Sequence, residues 1–387
     1  MRAFLLAGMA AMIAAPASAS DLGSFNPWTT NLSNLSLTVG GRAQGTLFTA
    51  AAGIDETRGS GAAALTASLQ RDYDSGLTLA LKGAFEIYHD RLSGDNYGDD
   101  LVQKVYAVAQ TGLGRVEIGM TDGAVYALAV SGPVVDRDTS LDNANATFFR
   151  DPSTGRAFIN VFRLDSAAES SLNYAKISYY TPRLFGVQLA ASYTPSEGKD
   201  VIPFLSSGPR VANRQESIWE AVLSYSGTFG PVALGAYGGV VFAHADGATK
   251  TAGHEGLTEW SAGSEIDYNL NDDVKLAVGG GYRRSNAYAF DINNVLADGA
   301  TSSAHLSATV SSGPWIVGGE VGEGTAEGAP KLGVQGVSAS VGYVFNANWQ
   351  ATLGWQQLLY KSDAGTFYNG APRIRMNAAF LHLSLRV

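Results

Sequence analysis

Three cations interrupt otherwise alternating stretches of the chain. Arg42 shares one side with Thr38 and Gln44, opposite Leu37 and Val39. Lys82 lies opposite Leu81 and Phe85, and Arg115 opposite Val116 and Ile118. Successive side chains of a strand point to opposite faces, so each cation belongs to a polar face whose reverse is oily. Lys104 is less defined, because Tyr106 and Val108 share one face and Val105 and Ala107 the other. Acidic residues gather elsewhere: Asp136, Asp138, Asp142 and Asp151, with Arg137 among them, fall in one long segment, 121–170. Fixed charges of this kind do electrostatic work and hold no nucleophile. Ordinary solvation of a wetted wall would also place them there, and Asp151 reads better as a loop-stabilising or outer-surface residue.

Other chemistry finds little support. His89, His244, His254, His305 and His382 have no close pairing along the chain, and the absence of cysteine removes disulfides, thiolate metal sites and thiol nucleophiles. DINNVLADG from Asp291 offers oxygen ligands without the full calcium-loop spacing. GGGYRR from Gly279 lacks the strand-to-helix setting of a phosphate loop. The residues imply no catalytic group, cofactor or resident metal. A formal net charge of −9 argues against a nucleic-acid partner.

The elements that must position these charges are strands. LTLALKGAFEI, Leu77 to Ile87, sets Leu77, Leu79, Leu81, Phe85 and Ile87 on one face and Thr78, Lys82 and Glu86 on the other. The same alternation recurs along the chain, and no comparable segment keeps a helical period. Sixteen strands are expected, starting near residues 34, 61, 77, 102, 115, 172, 187, 217, 231, 257, 274, 303, 315, 334, 349 and 373. Short connections with turn residues, such as DSG at Asp74, GTFG at Gly227 and SSGP at Ser311, alternate with long ones. The long ones fall near 49–60, 89–101, 121–170, 195–216, 243–256, 284–302, 322–333 and 361–372. Sorting of loop length by parity is the mark of an outer-membrane barrel with short periplasmic turns and long external loops. Aromatics flank the short turns (Tyr73, Phe185, Phe229, Tyr268, Trp315, Phe345, Trp349), as in the girdle of such a barrel.

The opening MRAFLLAGMAAMIAAPASAS carries one charge, Arg2, an apolar run, and Ala17-Ser18-Ala19 as a cleavage site. It reads as a secretory signal over 1–19, leaving 20–387 as one barrel domain. No later stretch has the roughly 18 consecutive apolar residues of a spanning helix. PVALGAYGGVVFA from Pro231 is too short.

NLSLTVGGRAQGTLF, KVYAVAQTGLGRVEIGMTDG and KISYYTPRLFGVQLAASYTP, together with the leader, strand count and loop parity, resemble a Gram-negative general porin of the alphaproteobacterial type. The resemblance covers nearly all of 20–387. It implies an all-β, 16-stranded antiparallel transmembrane β-barrel in the cell outer membrane, embedded in lipid and assembled as a homotrimer. Its third external loop, here 121–170, folds into the pore. It further implies a constriction in which loop acids, Asp136, Asp138 and Asp142, face basic wall residues, Arg42, Lys82 and Arg115. Such barrels usually end in an aromatic residue, whereas this chain ends FLHLSLRV, with Leu381, Leu383, Leu385 and Val387 on one face. The small-residue face Val105, Ala107, Ala109 suits either close barrel contact or a crowded interior.

The function expected is passive diffusion of small hydrophilic solutes and ions through a wet lumen. Opposed charges across a narrow gap set up a transverse field that orients polar solutes and makes apolar ones displace ordered water. Two alternatives stand beside it. A solute-selective channel for sugars or organic acids would line the lumen with stacked aromatics, and the inward positions show no such run. A non-transport barrel, enzyme or adhesin, would show convergent catalytic groups or a plugged pore.

Overall fold

The computed structural model describes residues 26–32, 34–51, 55–89, 102–141, 171, 174–196, 215–245, 256–286, 289–290, 296–297, 300–327, 331–362 and 372–387. The leader 1–19 lies outside them.

A short first strand, β1 (Trp28–Leu32), precedes the barrel. The first half of the barrel is β2 (Leu35–Ala51), β3 (Asp55–Asp72), β4 (Thr78–His89), β5 (Val102–Thr111), β6 (Gly114–Met120), β7 (Ala175–Tyr180), β8 (Val187–Ser196) and β9 (Gln215–Phe229). The second half is β10 (Val232–Ala245), β11 (Gly256–Asn269), β12 (Val274–Ser285), β15 (Thr301–Ser312), β16 (Trp315–Ala326), β17 (Leu332–Val344), β18 (Trp349–Ser362) and β19 (Arg373–Arg386). The two-residue strands β13 (Ala289–Phe290) and β14 (Leu296–Ala297) pair only with each other, in the connection after β12. Each barrel strand is antiparallel to the next in sequence, and β19 pairs with β2 from Asn377↔Ala51 to Arg386↔Arg42. The sheet therefore closes into a 16-stranded antiparallel barrel with no free edge, which removes the exposed backbone groups that an open sheet would present.

Alternation dictates which way each residue points. Leu47, Leu81, Ile118, Leu189, Leu223, Leu306 and Leu381 stand exposed on the outside, while Phe48, Glu117, Val222, Glu220, Ser307 and His382 between them are buried inside. Outward rings meet across strands near the ends: Tyr193 with Trp219 at 4.5 Å and Trp260 with Tyr282 at 5.0 Å toward the long connections, Trp315 with Tyr343 at 4.7 Å toward the short ones. Two of the short turns are Gly-Pro pairs. Gly230 and Gly313 take φ of +58° and +53°, the left-handed first position of a two-residue hairpin, and Pro231 and Pro314 follow.

The structure changes two sequence-based expectations. The segment 49–60 is not a long loop, since Thr49↔Thr57 to Ala51↔Asp55 continue the β2–β3 ladder and leave only 52–54 as the connection. A hydroxyl pair between Thr49 and Thr57 at 3.0 Å fits these polar residues to the sheet. β1 was not expected. It covers the lower half of β2, Trp28↔Val39 to Leu32↔Leu35, below the point where β19 ends. The chain terminus seals that junction: Val387 N–H donates to the Gly41 carbonyl at 2.8 Å, and Gly41 N–H to the Val387 carbonyl at 3.0 Å. The closing strand thus pairs in full with an aliphatic last residue.

Candidate functional site

The connection after β6 turns into the barrel. Residues 121–141 of it are described. Asp142, Asp151 and the remainder of 142–170 fall outside the described residues. Lys176 of β7 holds the bend, its Nζ donating to the carbonyls of Thr121 and, at 3.2 Å, Ser171. Asp122 meets Lys104 of β5 at 2.6 Å, which settles Lys104 on the inward face. One helical turn, α1 (Ala124–Ala127), then lies on the wall. Val125 is fully buried there in a cluster with Ile218, Val222, Tyr237 and Val241. Glu220 of β9 anchors the turn, accepting from Val125 N–H at 3.0 Å and from the Ser171 hydroxyl, while Ser192 Oγ accepts from Ala124 N–H at 3.0 Å. A carboxylate that receives such donors is a charge-assisted acceptor, and its burial is compensated.

From α1 onward the segment runs along the inner wall from β10 to β19 on a track of glycines. A methyl group on Gly239 would lie 2.6 Å from Val125, and one on Gly279 would lie 2.9 Å from the Gly132 backbone. Val135 sits over both Gly318 and Gly342, where a methyl group would approach to 2.8 Å. Absent side chains let backbone lie on backbone. Polar clamps complete the contact: Gln350 Nε2 donates to the Val135 carbonyl at 2.8 Å, Gln356 Nε2 to the Thr139 carbonyl, and Glu320 accepts from Leu141 N–H at 3.1 Å. Among the described residues, the loop therefore covers the inner wall from β8 to β19.

Parity and register place Arg42, Lys82 and Arg115 on the inward face. Arg42 is exposed to the lumen and stands opposite Arg386 in the β2–β19 register. Lys82 lies between Ser68 and Tyr106 on the neighbouring strands. Among the described residues neither cation has an ion-pair partner. Arg115 does: its Nε is 3.1 Å from Glu117 Oε1, and its guanidinium lies 4.2 Å over the Tyr180 ring. The loop acids take other places. Asp136 is buried on the β18–β19 wall, accepting from Thr352 Oγ1 at 3.3 Å, with His382 Nε2 3.6 Å away. Burial pushes its carboxyl above the usual carboxylate range. Asp138 reaches toward Arg386, 3.8 Å away. Between them Arg137 is exposed, with Nη2 donating to Ser131 Oγ at 3.1 Å. Asp136 and Asp138 thus meet β19 rather than Arg42 or Lys82, and Arg137 between them is exposed.

Sequence reading missed Asp122, Glu220, Arg386 and His382. For three of these the parity signal was present. Glu220 alternates with Trp219 and Ala221, and His382 and Arg386 alternate with Leu381, Leu383 and Leu385. Nothing local announced that the loop would reach them.

With barrel and inserted loop in view, comparison with known proteins is direct. The Gram-negative porin family matches residues 5–363. The chain belongs to that family. This porin shares its fold with OmpF of Salmonella typhi, solved in complex with daunomycin, at 12% identity and TM-score 0.62, over 92% of this chain and 100% of that one. An anion-selective porin from Comamonas acidovorans aligns at 14% identity and TM-score 0.54, over 91% and 100%. The trimer form of OmpT from Vibrio cholerae aligns at 14% identity and TM-score 0.54, over 91% and 99%. No curated protein sequence matches significantly. The porin is an outer-membrane channel protein.

Proposed function

We propose that this porin is a passive, water-filled passage for small hydrophilic solutes and ions, with a preference for anions, working as a homotrimer in outer-membrane lipid. The observation that carries the reading is the placement of the loop. Among the described residues, it covers the inner wall from β8 to β19 through buried contacts and leaves reachable polar groups on the β2–β6 side. The anion preference rests on exposure. Arg42, Arg137 and Arg386 are exposed, whereas Glu117, Asp136, Glu220 and Glu320 are buried. Charges that water and ions can reach set the potential along the path, and those occupied by backbone donors do not. The trimer form of one fold neighbour and the anion selectivity named for another agree with this reading.

The outward face supports the lipid partner, because a Lys or Arg at the bilayer midplane would cost about 2–4 kcal/mol and the mid-strand outward positions are aliphatic. The test is swelling of liposomes that contain the refolded protein. Small neutral sugars and small anions are expected to enter at rates that fall smoothly with size. Saturable uptake of one sugar or organic acid, with others excluded, would instead establish the solute-selective alternative.

A further inference from the structure

A second kind of site lies where the loop meets the closing strand. Asp136, Asp138 and His382 each offer one potential ligand atom, and those atoms lie within 4.8 Å of one another. His382 is fully buried, yet its Nε2 has no hydrogen-bond partner. That nitrogen faces Asp136 Oδ2 at 3.6 Å and Asp138 Oδ2 at 3.9 Å. Both separations exceed the 2.7–3.2 Å range usual for an N–H···O bond, so the triad is not a hydrogen-bonded pair drawn tight. They resemble the edge of a tetrahedron of ligands, about 3.4 Å for metal–ligand bonds of about 2.1 Å.

The far side of the imidazole is prepared for the same role. His382 Nδ1 lies 2.7 Å from Thr46 Oγ1 on β2. A proton on Nδ1 donated to that hydroxyl leaves the Nε2 lone pair directed at the two carboxylates, an arrangement that repels unless a cation lies between them. Metal-bound histidines are ordinarily oriented in this way, by a hydrogen bond from the second ring nitrogen. Asp136 is fixed in turn, its Oδ1 accepting from Asp138 N–H at 3.0 Å and its Oδ2 from Thr352 at 3.3 Å.

We propose that Asp136, Asp138 and His382 form a binding site for a late first-row divalent cation, Zn²⁺ or a relative such as Co²⁺, with the fourth position open to water from the lumen. One nitrogen and two carboxylate oxygens suit that class. Calcium takes six to eight oxygens, and magnesium keeps an octahedral shell of oxygen and water. The side chain of Asp138 is 14% exposed, which gives the ion a way in. Binding would tie the loop, through Asp136 and Asp138, to His382 on the strand that closes the barrel.

The experiment titrates Co²⁺ into the full-length, refolded protein and records visible absorption, then displaces Co²⁺ with Zn²⁺. The expected result is an intense tetrahedral spectrum saturating at one ion per chain. His382→Ala and Asp138→Asn should each weaken binding at least tenfold, and Thr46→Val about 10–100-fold. Heat-modifiability on gels establishes that each variant is a folded barrel. Asp138→Asn, at the partly exposed position, keeps the test valid if His382→Ala fails to fold. Absence of a Co²⁺ spectrum at sub-millimolar metal, or binding that Asp138→Asn and Thr46→Val leave unchanged, overturns the proposal.

Discussion

The charges on the porin's inner wall are not equivalent. Arg115 has Glu117 at 3.1 Å and an aromatic face beneath it, whereas Arg42 and Lys82 are uncompensated among the described residues. Removing a compensated charge alters the field along the path less than removing a free one. Arg42→Ala and Lys82→Ala should each move the reversal potential in a salt gradient toward cation preference. Arg115→Ala should move it by less than half as much. An equal shift for all three would show that Glu117 does not screen its neighbour. Buried acids belong to a different category. Glu220→Gln keeps the shape of the side chain but weakens an acceptor of two donors, one the buried N–H of Val125. A loss of about 1–3 kcal/mol in the anchoring of the loop is expected, the range for disturbing a buried hydrogen-bonded group. Faster proteolysis within 121–170, with the barrel still heat-modifiable, is the readout.

The loop segment 121–141 holds its path because the wall beneath it is bare backbone. Side chains at Gly239 or Gly318 would occupy the volume of Val125 or Val135. Overpacking of this kind costs about 1–3 kcal/mol, and here it falls on the loop rather than on the ladder, whose hydrogen bonds do not involve the side chain. Gly239→Leu should therefore leave the barrel assembled while displacing α1, and the single-channel current should become noisier and larger. An unchanged, quiet current would mean that the loop tolerates the intrusion. The strands show why so much was legible in the sequence. A wall with lipid on one side and a wetted or packed lumen on the other must alternate, and the alternation in FLHLSLRV alone fixes which residues of β19 face inward. The loop shows why the rest was not. Its contacts join Val125 to Glu220 and Asp136 to His382, residues far apart whose pairing leaves no local period. The glycines that receive it, such as Gly263 and Gly279, look in sequence like ordinary strand glycines.

Taken whole, the molecule is a closed sheet into whose interior the described segment 121–141 is inserted. Aliphatic side chains face outward, buried carboxylates hold the insert, and exposed arginines border the space that is left. Homotrimer assembly should appear as three equal current steps on insertion and as one species of three times the monomer mass in mild detergent, and a monomer by both criteria would contradict it. The claim on which the rest depends is that this space conducts and that the inserted loop limits it. The most direct test is single-channel conductance in a planar bilayer, comparing the natural chain with one in which residues 124–139 are replaced by a short Gly-Ser linker. Steady ohmic current in the natural protein and a severalfold larger current in the shortened one are predicted. A folded, heat-modifiable barrel that passes no current would contradict the account, and so would one whose conductance the replacement leaves unchanged.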